Sequence, residues 1–258
     1  MPHHSPNTVL ISGATGDFGR AIAMRFAGLG AALVLHGRDQ ARLESLIADL
    51  AKTAPVRCHP LCFDMSNTDA LASAIASLPP DFAAIDVLVN NAGGALGLEP
   101  AHQAELADWD AMIDSNIRGL AHMTRHILPG MVARKAGHII NIGSTAGNYP
   151  YPGGNVYGAA KAFVKQFSLN LRADLAGTAV RVTNIEPGMV ETRFSLVRFK
   201  GDQAKADAVY ANTAPLQAED VAEAIIWAAT LPAHVNINRI EMMPTTQSFG
   251  PFAIERFV

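Results

Sequence analysis

The sequence predicts an α/β fold: a doubly wound, mostly parallel sheet of seven strands with helices on both faces. Three observations carry that expectation. Short apolar, β-branched runs recur seven times along the chain, and most are followed by a longer stretch with helical periodicity. The runs stay apolar without strict alternation, as strands do when helices cover both faces. The 258 residues, 49% hydrophobic, suffice for one large core, and folds of this class and length commonly stay undivided, so a single domain over 1–258 is expected.

Each element has its own signal. After a tail over 1–7, expected to be flexible, "TVLIS" (8–12) gives the first strand, and "SGATGDFG" turns into a helix over 17–30 that Gly30 closes. "ALVLH" (32–36) is the second strand. "RDQARLESLIADLAK" (38–52) is the second helix, with Asp39 as a candidate N-cap. The strand "VRCHPLCF" (56–63) precedes a helix over 67–80, opened by Asn67 and stopped by two prolines. "IDVLVN" (85–90) leads to a long helical stretch over 105–135, which Pro129 should end or kink. "GHIINIG" (137–143), a helix over 155–177, "AVRVTNIE" (179–186) and "INRIEMM" (237–243) complete the pattern. Only 191–217 lacks strand or strong helix character, and at that length it reads as a substrate loop.

Composition removes several classes of function. A net charge of −3 and a pI near 6.3 give no electrostatic case for nucleic acid or anionic membranes. No apolar run approaches the roughly 20 residues of a membrane span, and no basic segment precedes an apolar one at the start. Cys58 and Cys62 flank His59 without a second cluster, so no metal is expected; reduced cysteines on a buried strand, in a cytoplasmic protein, fit better.

The turn after the first strand points to a dinucleotide. Glycines 13, 16 and 19 sit between a strand and a helix, where backbone amides and the helix dipole favour a pyrophosphate. Thr15, Asp17 and Phe18 share the turn and are placed with the cofactor. At the end of the second strand, Gly37 stands where an acid would select NAD, and Arg38 follows, which favours the 2′-phosphate of NADP(H). Asp17 conflicts with this reading, since a carboxylate facing the pyrophosphate costs roughly 1–4 kcal/mol at about 4 Å. Either Asp17 turns outward and caps the helix, or the site tolerates its charge.

Tyr157 and Lys161 lie four apart on a helical segment, so both project from one face. An ammonium beside a phenol favours the phenolate and suits the pair to acid/base work. Ser144 closes the preceding strand at the end where α/β ligands sit, and can hold a substrate oxygen.

With these residues in place the chain resembles the short-chain dehydrogenases/reductases, Rossmann-fold enzymes, from end to end. The matching stretches are "SGATGDFG", Asp64 in "CFDM", "NNAG" at 90–93, Asn116 in "DSNIRG", "GSTAG", "NVYGAAK" and "PGMVET" at 187–192. The resemblance implies an Asn116–Ser144–Tyr157–Lys161 tetrad. Tyr157 would exchange a proton with the substrate oxygen, Ser144 would polarise that oxygen, Lys161 would hold the nicotinamide ribose, and Asn116 would bind a water leading to solvent. It also implies Asp64 and Met65 at the adenine, Asn90 and Asn91 beside the ribose, and Pro187, Gly188, Val190 and Thr192 around the nicotinamide. The C-terminal half, with "FSLVRFKGD" and "LPAHVNIN", is similar to the NADP-dependent 3-hydroxy acid dehydrogenases. That group oxidises small hydroxy acids to 3-oxo acids, acts on serine and L-allo-threonine, and is typically homotetrameric. Such substrates need a cation, and the loop supplies Arg193, Arg198 and Lys200, of which Arg198 is favoured. A reductase of another small ketone or aldehyde, and a non-catalytic dinucleotide-sensing subunit, are the competing readings.

Overall fold

The computed structural model describes residues 6–250. Seven parallel strands form one sheet in the order β3-β2-β1-β4-β5-β6-β7. They are β1 (Thr8–Ile11), β2 (Ala32–Gly37), β3 (Cys58–Cys62), β4 (Val87–Asn90), β5 (Gly137–Ile142), β6 (Val180–Pro187) and β7 (Arg239–Met242). The helices are α1 (Asp17–Gly28), α2 (Gln40–Thr53), α3 (Thr68–Ala76), α4 (Pro80–Ala83), α5 (Leu106–Ile113), α6 (Leu120–Arg134), α7 (Asn155–Asp174), α8 (Phe194–Arg198), α9 (Gln203–Tyr210) and α10 (Ala218–Thr230).

The strand periodicity divides the core in two. Val9, Ile11, Leu33, Leu35, Val87 and Val89 face α1, α2 and α10, where Phe26, Leu43 and Ile225 are buried. Leu10, Val34, Leu88 and Ile139 face the other way, onto Leu71 of α3, Met123 and Ile127 of α6, and Leu171 of α7. Both layers therefore grow from the same strands, which explains the continuous apolar runs. The order reverses direction between β1 and β4, and that switch point opens the crevice in which such sheets bind ligands.

Several expectations shift. Pro6 is buried and the Asn7 amide donates to Asp86 Oδ2 at 2.8 Å, so the end of the expected flexible tail is docked; residues 1–5 lie outside the described part. Pro129 does not end its helix, since α6 continues to Arg134. The break in the 105–135 stretch comes earlier, as a wide π-type turn over Asp114–Gly119. β3 is an edge strand, which tolerates Pro60, and Cys62 is exposed and Cys58 half-buried rather than both buried. Asn67 does cap α3, accepting from Ala70 N at 3.0 Å. The 191–217 segment holds two short helices, α8 and α9. Their shortness hid them, and a β-bridge between Val190 and Leu216 closes the segment at its base.

Candidate active site

A cleft of about 1810 Å³ runs along the carboxyl ends of the strands. Two side chains build its floor at the switch point. Ser12 Oγ accepts from Asn91 N at 3.0 Å and Ala92 N at 2.9 Å, and Asn91 Nδ2 returns bonds to the carbonyls of Ser12 and Gly13, both at 3.0 Å. Gly13 adopts φ +64, which favours glycine. Gly19 packs where a Cβ would lie 2.3 Å from the Gly13 carbonyl, so it joins helix to strand and does not reach the cleft. A Cβ at Gly16 would meet only the Gly13 carbonyl, at 3.5 Å, which leaves that face of the turn open.

His36, which the sequence reading passed over, orders this turn. Its Nδ1 accepts from Gly13 N at 3.2 Å, so Nε2 carries the hydrogen and donates to the Phe63 carbonyl at 3.1 Å. Burial lowers its pKa to about 4, which keeps the ring neutral. One imidazole thus ties the ends of β1, β2 and β3 together.

At the adenosine end, Arg38 is well exposed at the close of β2, 3.7 Å from Asp64 Oδ2. Asp64 Oδ1 accepts from Ser66 N at 2.9 Å and Ser66 Oγ at 2.7 Å, and the Ser66 amide chiefly holds its carboxyl below the usual range. Asp39 caps α2 through Arg42 N at 3.2 Å, which removes the objection to Arg38. Arg42 is a second cation that the sequence reading missed. One turn into α2, its Nη2 donates to the Thr15 carbonyl at 2.9 Å. Met65 and Asn91 line the cleft, but Asn90 does not. It is 2% exposed, and its Nδ2 donates to Thr124 Oγ1 at 2.9 Å and Asn141 Oδ1 at 2.8 Å, an internal tie between β4, α6 and β5.

At the other end, Ser144, Tyr157 and Lys161 converge as expected. Ser144 Oγ accepts from Ala146 N at 3.1 Å, which aims the end of β5, and α7 presents Tyr157 and Lys161 on one face. Lys161 Nζ donates to the Ile142 carbonyl at 2.9 Å and stands 5.7 Å from the Tyr157 ring centroid. Burial pushes the Tyr157 phenol up to about 12, against the Ser144 hydroxyl and the Arg198 guanidinium, which pull it down. Burial also lowers Lys161 to about 8. In the protein alone the phenol therefore lies above its ordinary value and not below it as the spacing suggests, because burial is the leading cause of both shifts. Asn116 sits in the π-type turn and donates its amide to Met112 O at 2.8 Å and Gly94 O at 2.9 Å. Its Oδ1 is buried without a partner.

The 191–217 segment covers this end. Pro187, Gly188, Val190 and Thr192 line the cleft, and Phe194 packs on Tyr157 with ring centroids 5.7 Å apart. Of the three candidate cations Arg193 and Arg198 line the cleft, and Arg198 is the one placed beside Tyr157. Its guanidinium lies 5.8 Å from the Tyr157 centroid and 5.4 Å from that of Tyr151, and Nη2 donates to Tyr151 Oη at 3.1 Å. Lys200 is engaged by Asp108 at 2.8 Å, and the Arg193 side chain is exposed. Asp17 does not cap α1. Its Oδ2 accepts from the backbone N of Arg193 at 2.6 Å, across the mouth of the cleft.

Comparison with known proteins bears on the same surfaces. The short chain dehydrogenase family profile matches residues 7–202. The chain is 58% identical to the NADP-dependent 3-hydroxy acid dehydrogenase YdfG of Salmonella typhi over 249 residues, covering 96% of this chain and 99% of that one. It is 54% identical to sulfoacetaldehyde reductase 2 of Chromohalobacter salexigens, covering 96% and 98%. Among solved structures, the closed form of a serine dehydrogenase complexed with NADP+ superposes with a TM-score of 0.92 at 56% identity, over 97% of this chain and all of that one.

Proposed function

The chain belongs to the short-chain dehydrogenase family, and on that premise we propose that it interconverts the 3-hydroxyl and 3-oxo groups of small hydroxy acids with NADP(H). The observation that carries the substrate class is Arg198, a guanidinium fixed over the Tyr157 ring, where a substrate carboxylate would be held with its reacting carbon beside the phenol. Serine-like and 3-hydroxypropionate-like acids carry the carboxylate that such a cation would hold.

The residues present fit a bound dinucleotide phosphate. The cleft far exceeds the roughly 300–1,000 Å³ of an ordinary small-molecule pocket, its glycine turn is open at Gly16, and Arg38 and Arg42 supply cations at the adenosine end. A bound NADP(H) would supply hydride-transfer chemistry at the substrate carbon. Everything else falls to the chain. Ser144 donates to the substrate oxygen and fixes it against Tyr157. In reduction Tyr157 gives its proton to that oxygen as negative charge develops there; in oxidation it removes one. Lys161 stabilises the resulting phenolate from its position over the ring, and Asn116, whose Oδ1 is buried without a partner, would help to hold a water that returns a proton from solvent. Thr192 and Val190, which line one end of the cleft, would hold the nicotinamide, and Asp64 and Met65, at the other, would hold the adenine.

A second reading, reduction of a small sulfonated aldehyde, is supported by the likeness to sulfoacetaldehyde reductase 2, since a guanidinium accepts a sulfonate as readily as a carboxylate. The discriminating experiment follows NADPH absorbance with L-serine, L-allo-threonine, 3-hydroxypropionate, malonic semialdehyde and sulfoacetaldehyde, with NAD(H) as control. Turnover of the hydroxy acids with NADP+ is expected. Faster turnover with NAD(H) overturns the assignment of Arg38. Loss of all turnover in Tyr157→Phe is expected of an enzyme and not of a dinucleotide-sensing subunit.

A further inference from the structure

Asp17 occupies a position in the phosphate turn where its charge is a liability, yet its carboxylate is committed elsewhere. Its Oδ2 accepts from Arg193 N at 2.6 Å, a contact between residues 176 apart in sequence, and no cation pairs with it among the described residues. Arg193 is the residue that opens α8, and Thr192 precedes it. The same bond therefore joins the pyrophosphate turn to the segment that carries Phe194 and Arg198 over Tyr157.

The far end of that segment is held independently. Arg198 and Gly97 exchange two bonds: Gly97 N donates to the Arg198 carbonyl at 3.0 Å, and Arg198 Nε donates to the Gly97 carbonyl at 3.0 Å. Lys200 Nζ lies 2.8 Å from Asp108 of α5. The base is pinned by Tyr210 Oη, which meets Ser195 Oγ at 2.7 Å and the Val190 carbonyl at 3.0 Å. These contacts fix α8 against the substrate side of the cleft. Among the described residues, Asp17 supplies the hydrogen bond that ties the start of α8 to the phosphate turn.

We propose that Asp17 is a positioning residue, a latch that holds the start of α8 across the cofactor cleft and so sets both cofactor release and the placement of Arg198. The inference rests on the oxidoreductase reading given above. It resolves the electrostatic conflict without an N-cap: a carboxylate that accepts a strong bond from Arg193 N is turned toward the lid and away from the pyrophosphate. Departure of cofactor then requires the latch to open, which slows release. Loss of the latch lets α8 pivot on its Gly97 and Asp108 contacts, so Arg198 meets the substrate anion less often, and the substrate KM rises while kcat holds or increases.

The test compares Asp17→Ala with Asp17→Asn, since the asparagine keeps an oxygen that accepts from Arg193 N while removing the charge. NADPH release is followed by stopped-flow displacement. Tryptic cleavage after Arg193, Arg198 and Lys200 is followed by mass spectrometry in the NADP+-loaded protein. In Asp17→Ala both rates should rise about three- to tenfold, as befits one charge-assisted bond at a half-exposed position. Asp17→Asn should restore both most of the way to the parent values. If both variants instead slow NADPH release alike and leave the cleavage rate unchanged, Asp17 acts on the pyrophosphate by charge alone and the latch is wrong. Parent-like rates in Asp17→Ala overturn it as well. Neither readout uses a substrate, so failure of the hydroxy acid panel would count against the substrate class and leave the latch to be judged on its own.

Discussion

Tyr157 and Lys161 show how far a residue's chemistry follows from spacing and where burial takes over. Their separation places them on one face of α7, and the structure brings both to the end of β5 beside Ser144. Spacing carries no information about desolvation, which raises the phenol to about 12 and lowers the amine to about 8. Two expectations follow. Protonated Tyr157 serves reduction directly, whereas oxidation needs the phenolate, so the rate of hydroxy acid oxidation should climb as pH rises from 7 toward 10 while carbonyl reduction stays nearly level; pH–rate profiles in both directions check this. Lys161, with a folded pKa below its unfolded 10.5, destabilises the fold fully below pH 8, and the penalty fades as pH rises toward 10.5. Lys161→Met should therefore abolish turnover yet raise the melting temperature at pH 7 by a few degrees, the upper bound being about 3 kcal/mol. Calorimetry at pH 7 and pH 10 should find the gain only at the lower value.

At the scale of elements, legibility tracked periodicity. The seven strands and the long helices were readable because each repeats its pattern over several turns or registers. The helices α8 and α9 were not. They span Phe194–Arg198 and Gln203–Tyr210, too short for a period to emerge, and they are held by contacts to Asp17, Gly97 and Asp108, far away in sequence. The π-type turn at Asp114–Gly119 escaped for a similar reason, since a single inserted residue leaves no composition signal. The charge of Arg198 was still legible in the sequence, and the structure places it at the end of α8 beside Tyr157. Arg198→Ala should raise the KM for a hydroxy acid about ten- to hundredfold, the loss of a charged pair with a bound anion, while the KM for NADP+ changes less than about twofold. Initial-rate kinetics with each substrate varied in turn measure the split, and equal effects on both constants would show that α8 collapses.

For the molecule as a whole, the parallel order with its reversal between β1 and β4 fixes where the cleft opens; the sequence pattern foretold the doubly wound sheet but not its strand order. What the pattern could not reveal is how the strand ends are cross-tied, because those ties join residues tens of positions apart. His36 is the clearest case. Its pKa is near 4 in the folded state and 6.5 in the unfolded, so the unfolded chain takes up a proton first and stability falls as pH drops from 6.5 to 4. Replacing it by asparagine, which keeps an acceptor for Gly13 N, should flatten that decline by about 2–3 kcal/mol in urea titrations compared at pH 6.5 and pH 4.5. An unchanged slope would place the acid sensitivity elsewhere.

The edge strand β3 has a practical corollary. Cys62 is exposed at its end, one residue before the Phe63 carbonyl that His36 grips and two before Asp64 at the adenosine end of the cleft. Cys58, half-buried, has its thiol pushed up to about 11 and so stays largely protonated near neutral pH. A thiol-reactive fluorophore should therefore label Cys62 first, two residues from Asp64 of the cleft, and a change in its emission on adding NADP+ would let nucleotide arrival and departure be watched optically without altering a single residue.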